Sequence, residues 1–396
     1  MRVPHPFIGY FAVLLLATGL SACAQARAQD QSETPEVAKV FINPHTLFVF
    51  DSVSRHYQDQ RVWVLDGDSG KLLGLIPASN WANFALSPDG RFGYVAETEW
   101  ARHRERHDFV SIHNISTLES ITEVAISGRG LMSTKKPNFD VSADGHYAYV
   151  FNLDPGASVI VVDLLQRREL GSIDTFGCGL VFPSGDNGFA SLCPDGTLLS
   201  VIFDADLHVR NTWTPAFFPA DSDPVFEHSA FDRAERTIYL LSYTGLVRTV
   251  RLAESPVVDQ PWSLQEAADL GRPGLSPQET AWRPGGWQLA AIHSASKRLY
   301  VLMHEGKFWT HKQPGTELWI FDLVSRKLIS RVPLPVPVKS VAVSQDEVPI
   351  LVLIGRNGNL YVLDAESGKL RFQTERIGDD PLVITMMNEW GGRSLK

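Results

Sequence analysis

The sequence is short of cysteine, and it lacks every short motif that marks a common catalytic centre. Only three cysteines occur in 396 residues, Cys23, Cys178 and Cys193. None belongs to a Cys-x-x-Cys-His unit, which excludes covalent c-type haem. There is no His-Glu-x-x-His zinc helix, no Gly-x-Ser-x-Gly elbow and no glycine loop of the phosphate-cradling kind. No metal-ligand set stands out either. His103 and His107 are four residues apart, but Arg102, Arg104 and Arg106 crowd them, and neighbouring cations oppose a metal ion. The stretch 102–108 therefore reads as a solvated, charged loop between two strands. Positive charge is also outnumbered, 36 Lys and Arg against 45 Asp and Glu for a formal net charge of −9, so nucleic acid has no basic footprint to bind. The mild acidity reads as solubility, with some steering of cationic partners.

Long apolar runs are confined to the N-terminus. One spans residues 7–20, shorter than the ~20 residues a membrane helix needs. It ends in small residues, so residues 1–28 read as an export signal. Leu20-Ser21-Ala22-Cys23 resembles a lipoprotein box, with cleavage after residue 22 and lipid on Cys23. Ala26-Arg27-Ala28 offers ordinary cleavage after residue 28 instead, and both stay open. Either way the mature chain is expected in the periplasm. Residues 29–39 are polar and read as a disordered arm. Once Cys23 is lipidated or removed, Cys178 and Cys193 remain as an even pair. In an oxidising compartment such a pair forms a disulfide.

What is present is strand. Apolar residues make up 44% and charged residues 20% of the chain, an ordinary globular balance. From residue 40 onward, short runs rich in Val, Ile, Phe, Leu and Tyr alternate with turn clusters. The one helix candidate is short, residues 262–270. Two units repeat. One is an apolar strand closed by Asp, as in Val62-Trp63-Val64-Leu65-Asp66, Val159-Ile160-Val161-Val162-Asp163, Leu318-Trp319-Ile320-Phe321-Asp322 and Leu360-Tyr361-Val362-Leu363-Asp364. The other is Ser-x-Asp-Gly before a strand, as in Ser87-Pro88-Asp89-Gly90 and Ser142-Ala143-Asp144-Gly145. Asp-Gly supplies the positive φ of a tight turn. Equivalent strand ends fall at Asp66, Asn114, Asp163, Asp204, Arg251, Asp322 and Asp364. Most steps match the ~40–50 residues of a four-stranded blade. The longer step holds a Pro- and Gly-rich insertion, residues 256–286. The expectation is an all-β chain, a seven-bladed β-propeller over residues 40–390. Its ring should close by pairing residues 381–385 with residues 47–50.

Arg55, His56 and Tyr57 join two strands of the first blade, so they lie at a ring face, where propellers place binding loops. Trp262, Trp282, Trp287 and Trp309 fall in or near the insertion, and the sequence does not separate buried from exposed among them.

Several runs resemble the large subunits of the methylamine and aromatic amine dehydrogenases. They are Trp282-Arg283-Pro284-Gly285-Gly286-Trp287-Gln288, Arg298-Leu299-Tyr300-Val301-Leu302-Met303-His304, Asp223-Pro224-Val225-Phe226 and Val343-Ser344-Gln345-Asp346. The placement of Cys178 and Cys193 also resembles that family's disulfide. The resemblance implies a seven-bladed propeller without a cofactor of its own, in a heterotetramer of two large and two small subunits. It implies tryptophan tryptophylquinone on the small subunit, oxidation of a primary amine to aldehyde and ammonia, and electron transfer to a blue copper protein such as amicyanin or azurin. It also implies that the segment Arg55-His56-Tyr57 approaches the substrate channel and the small subunit, where the family often offers a Phe. Phe50-Asp51-Ser52-Val53 is similar to the aromatic-amine branch, and Arg283 to Trp287 to the methylamine branch. Two rivals stay open: a stand-alone envelope propeller that binds without a quinone partner, and a self-sufficient pyrroloquinoline quinone enzyme, whose polar ligand set is not found.

Overall fold

Aspartates and serines punctuate the chain, and the computed structural model, which describes residues 39–100 and 105–391, shows how. In the turn after the first strand of a unit, Ser87 Oγ donates to Asp89 Oδ1 at 2.6 Å and accepts from the Phe92 N–H at 2.9 Å. Gly90 completes the turn at φ +69°. Ser142, Asp144 and Tyr147 repeat the device at 2.5 and 2.9 Å. The aspartates that close strands work similarly. Asp163, Asp322 and Asp364 accept the N–H groups of Gln166, Ser325 and Ser367 at 2.7, 2.6 and 2.7 Å. An aspartate that binds the backbone just beyond itself turns the chain back and ends the strand.

The strands form an all-β propeller. Four sheets have four strands, one has five and one has eight. Every named ladder is antiparallel, for example Thr46–Asp51 on Arg61–Asp66 and Ser158–Asp163 on Arg168–Asp174. The ring closes as expected. Strand Pro381–Met386 pairs with Thr46–Asp51, with Leu47 opposite Met386 and Phe50 opposite Val383.

Three expectations need correction. The described strands do not divide into seven separate sheets, because one strand, Lys327–Val343, is 17 residues long. Its first half pairs with Gly315–Asp322 and its end with Ile350–Gly355, which joins two four-strand units into the eight-stranded sheet. Pro333, Pro335 and Pro337 mark the changeover. Proline has no N–H to give a ladder, so it suits the point where one sheet releases the strand. The helix candidate 262–270 instead opens as a short strand, Trp262–Ser263, followed by a single 3-10 turn, Glu266–Ala268. Finally, Arg106, His107 and Asp108 belong to a strand, Arg106–Asn114, paired with Phe92–Trp100. His107 is exposed there, and His103 lies outside the described residues. So do Cys23, the signal segment 1–28 and residues 29–38 of the arm. Among the described residues no helix is long and apolar enough to cross a membrane.

The core is a set of clusters between neighbouring sheets. Phe48, Val62, Ile76, Phe84 and Val95 pack together, as do Tyr149, Val161, Phe189 and Val201. Innermost strands line the axis around a cavity of about 100 Å³, among them Asp140, Phe182, Ala230, Ile292 and Val343. Arg233 crosses this cavity to Asp140 in a two-bond pair at 3.0 and 2.9 Å.

Candidate functional site: an aromatic face and its first hairpin

In each antiparallel unit the link from the second to the third strand leaves from the same end as the link to the next unit. One face of the ring therefore collects residues 52–60, 153–157, 193–197, 242–245, 307–314 and 356–358, with the links between units. Exposed aromatics collect there too: Tyr57, Trp100, Phe176, Trp213 and Trp309. Phe41 is at the opposite end. Such aromatics are a mark of interaction surfaces.

The segment 133–138 closes the axis at this face. Thr134 Oγ1 donates to Ala82 O at 2.8 Å, and Trp287 Nε1 donates to Thr134 O at 2.9 Å. The Lys136 N–H reaches His228 Nε2 at 3.3 Å. Burial, with Lys136 and Lys135 close by, pushes His228 down to about 3. Of the four tryptophans in or near the insertion, Trp262 is buried, Trp282 and Trp287 are partly buried, and Trp309 is 61% exposed.

Beside Trp309 lies an open cleft of about 770 Å³, lined by Trp287, His304, Lys339, Arg356 and Asp380. Burial, then Arg283 and His311, push His304 down to about 4, so it is a neutral hydrogen-bonding group there. The cleft adjoins the first hairpin, because Ser52 Oγ donates to Asp380 Oδ2 at 3.0 Å.

That hairpin, residues 52–60, carries Arg55, His56 and Tyr57, and the structure places all three exposed at its tip. Its root is tied down. Asp51 accepts the N–H groups of Asp379 and Asp380 at 3.0 and 2.7 Å and Trp63 Nε1 at 3.1 Å. Buried Gln60 donates to Ser52 O at 2.8 Å and accepts the Ala82 N–H at 2.9 Å. At the tip, the Tyr57 ring stacks on Trp81, with centroids 4.4 Å apart and planes at 20°. Tyr57 stays 38% exposed.

Sequence reading missed Trp81 and the residue beneath it. Trp81 sits at φ +56° in a bulge where the ladder shifts between Asn80 and Asn83. For a bulky residue that costs of order 1–3 kcal/mol and persists only where neighbours enforce it. The enforcer is Arg129, 2% exposed. Burial lowers its guanidinium to about 10, while Asp108 and Glu97 pull it back up. The available signal was Gly128-Arg129-Gly130, an arginine between two glycines where the chain must pack closely.

Cys178 and Cys193 form a disulfide, which links the entry of strand Gly179–Pro183 to the turn after strand Gly188–Leu192 on this same face. Among the described residues one group has metal-ligand character, Asp204, Asp206 and His208. All three are exposed, and Asp204 already accepts from His208 at 2.9 Å.

The sequence matches the description "Methylamine dehydrogenase heavy chain (MADH)" over residues 43–388. A methylamine dehydrogenase heavy chain of Methylophilus methylotrophus is 26% identical, covering 94% of this chain and 93% of its own length. Another, from Methylorubrum extorquens, is 27% identical over 93% of this chain and 89% of its own. Among solved structures, a dihydro-heme d1 dehydrogenase superposes with a TM-score of 0.57 at 18% identity, covering 91% of this chain and 79% of its own. A hydrazine synthase of Kuenenia stuttgartiensis gives 0.55 at 18%, covering 85% and 99%. At such identities the structural likenesses speak for the propeller fold alone. The match over nearly the whole ring speaks for more: this chain belongs to the methylamine dehydrogenase heavy chain family.

Proposed function

We propose that this chain is the large, cofactor-free subunit of a periplasmic amine dehydrogenase, which grips a small subunit on the aromatic face and walls the path of a primary amine. The observation that carries this reading is the heavy-chain match from residue 43 to residue 388. The face that gathers Tyr57, Trp100, Phe176, Trp213 and Trp309 supports it. In the same reading the eight-stranded sheet is two blades that share the strand Lys327–Val343, so the ring has seven.

Tryptophan tryptophylquinone, expected on the small subunit, supplies the oxidation of the amine to aldehyde and ammonia, and a blue copper protein of the amicyanin or azurin type takes the electrons. The share of this chain is binding, orientation and exclusion of water. Trp81 covers one face of the Tyr57 ring. The remaining aromatic surface can attract a substrate ammonium by roughly 0.5–2 kcal/mol through cation–π contact. Arg55 opposes that attraction with its own charge. His56 adds a donor or acceptor at the same tip. Export to the periplasm follows from residues 1–28, with Cys23 lipidated or removed.

The test is co-expression with a small cysteine-rich subunit. Co-purification and amine-dependent dye reduction by the pair, with neither activity nor quinone absorbance in the large chain alone, are expected. Dye reduction by the lone chain, or its failure to retain any such subunit, would overturn the reading; the second result would favour the stand-alone binding propeller.

A further inference from the structure

The two ends of the ring axis are joined by charge. At the aromatic face, segment 133–138 runs straight on into the inner strand Phe139–Val141. Segment 387–391 lies at the other end, because the closing strand runs from Pro381, beside Asp51 and the first hairpin, to Met386, beside Leu47. Four side chains connect the two segments. Lys136 Nζ donates to Glu389. Glu389 Oε1 lies 3.5 Å from Arg233 Nη2, and Arg233 holds Asp140 by two bonds. The signs alternate around this circuit, two cations against two carboxylates. Lys136 and Asp140, which stand at either end of it, are only four residues apart. Trp390 adds its ring, 4.4 Å from the Arg233 guanidinium. The side chains of Arg233 and Asp140 are 8% and 6% exposed, and all four groups line the axial cavity.

We propose that this circuit is a lock through the axis: docking of 387–391, as the ring closes, fixes 133–138 at the opposite end, and only then does the aromatic face take the form that holds its partner. The partner half rests on the reading of that face as the small-subunit surface. Among the described residues, Glu389 is the one carboxylate paired with Lys136. A partly buried charge that loses its partner is strongly unfavourable where it stands. Lysine has a way out, since its long stem can carry the ammonium to water. Without Glu389, Lys136 turns outward and segment 133–138 lifts with it. That draws the Lys136 N–H from His228 Nε2, 3.3 Å away. Thr134, bonded to Ala82 and Trp287, holds the start of the segment, so the lift falls on residues 135–138. A partner that presses 133–138 down in turn favours the docked form of 387–391.

Hydrogen exchange in the large chain reads the lock directly. Glu389→Gln removes the charge at one end with little change of shape. It should speed exchange in 133–138, at the other end, by about five- to tenfold. Lys136→Met keeps the stem and removes the charge. It should speed exchange in 387–391 by a similar factor, because coupling between two sites is reciprocal. In each segment the double variant should show less than the product of the two single effects, since both act on one contact. Glu227→Gln is the control. It breaks the pair of Lys135 with Glu227 on the same segment but off the circuit, and should leave 387–391 unchanged. Co-purification reads the partner half: Glu389→Gln should retain less of the small subunit than Glu227→Gln does. If each variant speeds exchange only at its own end, the ends are independent: the inference falls and the reading of function stands. If the ends are coupled yet retention equals the parent's, the dependence of the partner face on the lock is overturned. A parent chain that retains no small subunit overturns the reading of the face, and the exchange results still decide the lock. Should Glu389→Gln fail to fold, Lys136→Met, which leaves Glu389 beside Arg233, decides through exchange in 387–391.

Discussion

Buried titratable side chains set opposing demands on this protein in acid. His228 is pushed down to about 3 by burial and by Lys136 and Lys135, and His304 to about 4 by burial, Arg283 and His311. Glu97 is pushed up to about 7 by burial, against hydrogen bonds from Ser111 and from the Ser79 N–H. The signs follow from proton binding. A histidine with a depressed folded value contributes stability that is complete above its ordinary 6.5 and is lost as pH falls toward the folded value. A glutamate with a raised value contributes stability that is complete below its ordinary 4.5 and is lost as pH rises through about 7. Between 4.5 and 6.5 the two histidines therefore oppose the one glutamate. Relative to the parent chain, His228→Gln should gain ground as pH drops from 7 to 5. Glu97→Gln should gain ground as pH rises over the same range. Urea midpoints at several pH values give both comparisons, and curves parallel to the parent's would show that these groups do not titrate on unfolding.

At the scale of the element, the disulfide ties two neighbouring strands of one sheet across a separation of 15 residues. Closing a loop of that length in the unfolded chain is worth roughly 3 kcal/mol in the chain-entropy account. The double substitution Cys178→Ser with Cys193→Ser should lower unfolding stability by about that much, with the β-sheet circular dichroism unchanged. An unchanged urea midpoint would mean that packing around Phe151 and Phe189, not the cross-link, holds these strands. This bond was legible because parity and compartment need no geometry. The strand ends were legible for a related reason: Asp163 and Asp364 act on their own next turn, so the signal is local. Long-range features were not. The prolines of Lys327–Val343 mark a changeover but not the two neighbours that the strand serves, because those lie far along the chain. Arg106 to Asp108 read as loop because charge counts outweighed the pairing with Trp100 and Thr98 that the fold supplies. Trp81 was invisible for the same reason, since its bulge is made by Arg129, 48 residues away.

For the whole molecule, the last strand decides whether there is a ring at all. Pro381–Met386 is the inner strand beside Thr46–Asp51, and it is gripped from several sides. Gln288 accepts the Ile384 N–H at 2.8 Å and donates to Ile384 O at 3.0 Å. Ser340 Oγ donates to Leu382 O at 2.6 Å. Just beyond, Glu389 meets Lys136 and Arg233, and Trp390 Nε1 reaches Leu86 O at 3.2 Å. This short tail therefore joins first, second, central and last parts of the chain. Without it, Thr46–Asp51 would stand as an open strand edge, which recruits other chains. The axis would also lose a carboxylate that balances the buried Arg233 side chain and the half-buried Lys136, and unpaired buried charge is strongly unfavourable. A chain ended after Asp380 should therefore unfold at a clearly lower urea midpoint and self-associate on sedimentation. The milder Gln288→Ala should lower the midpoint by a smaller step without association, since it removes two hydrogen bonds and leaves the ladder, at about 1–3 kcal/mol for buried partners left unpaired. A truncated chain that stays monomeric with the parent's midpoint would show that the remaining sheets hold the ring without a closing strand.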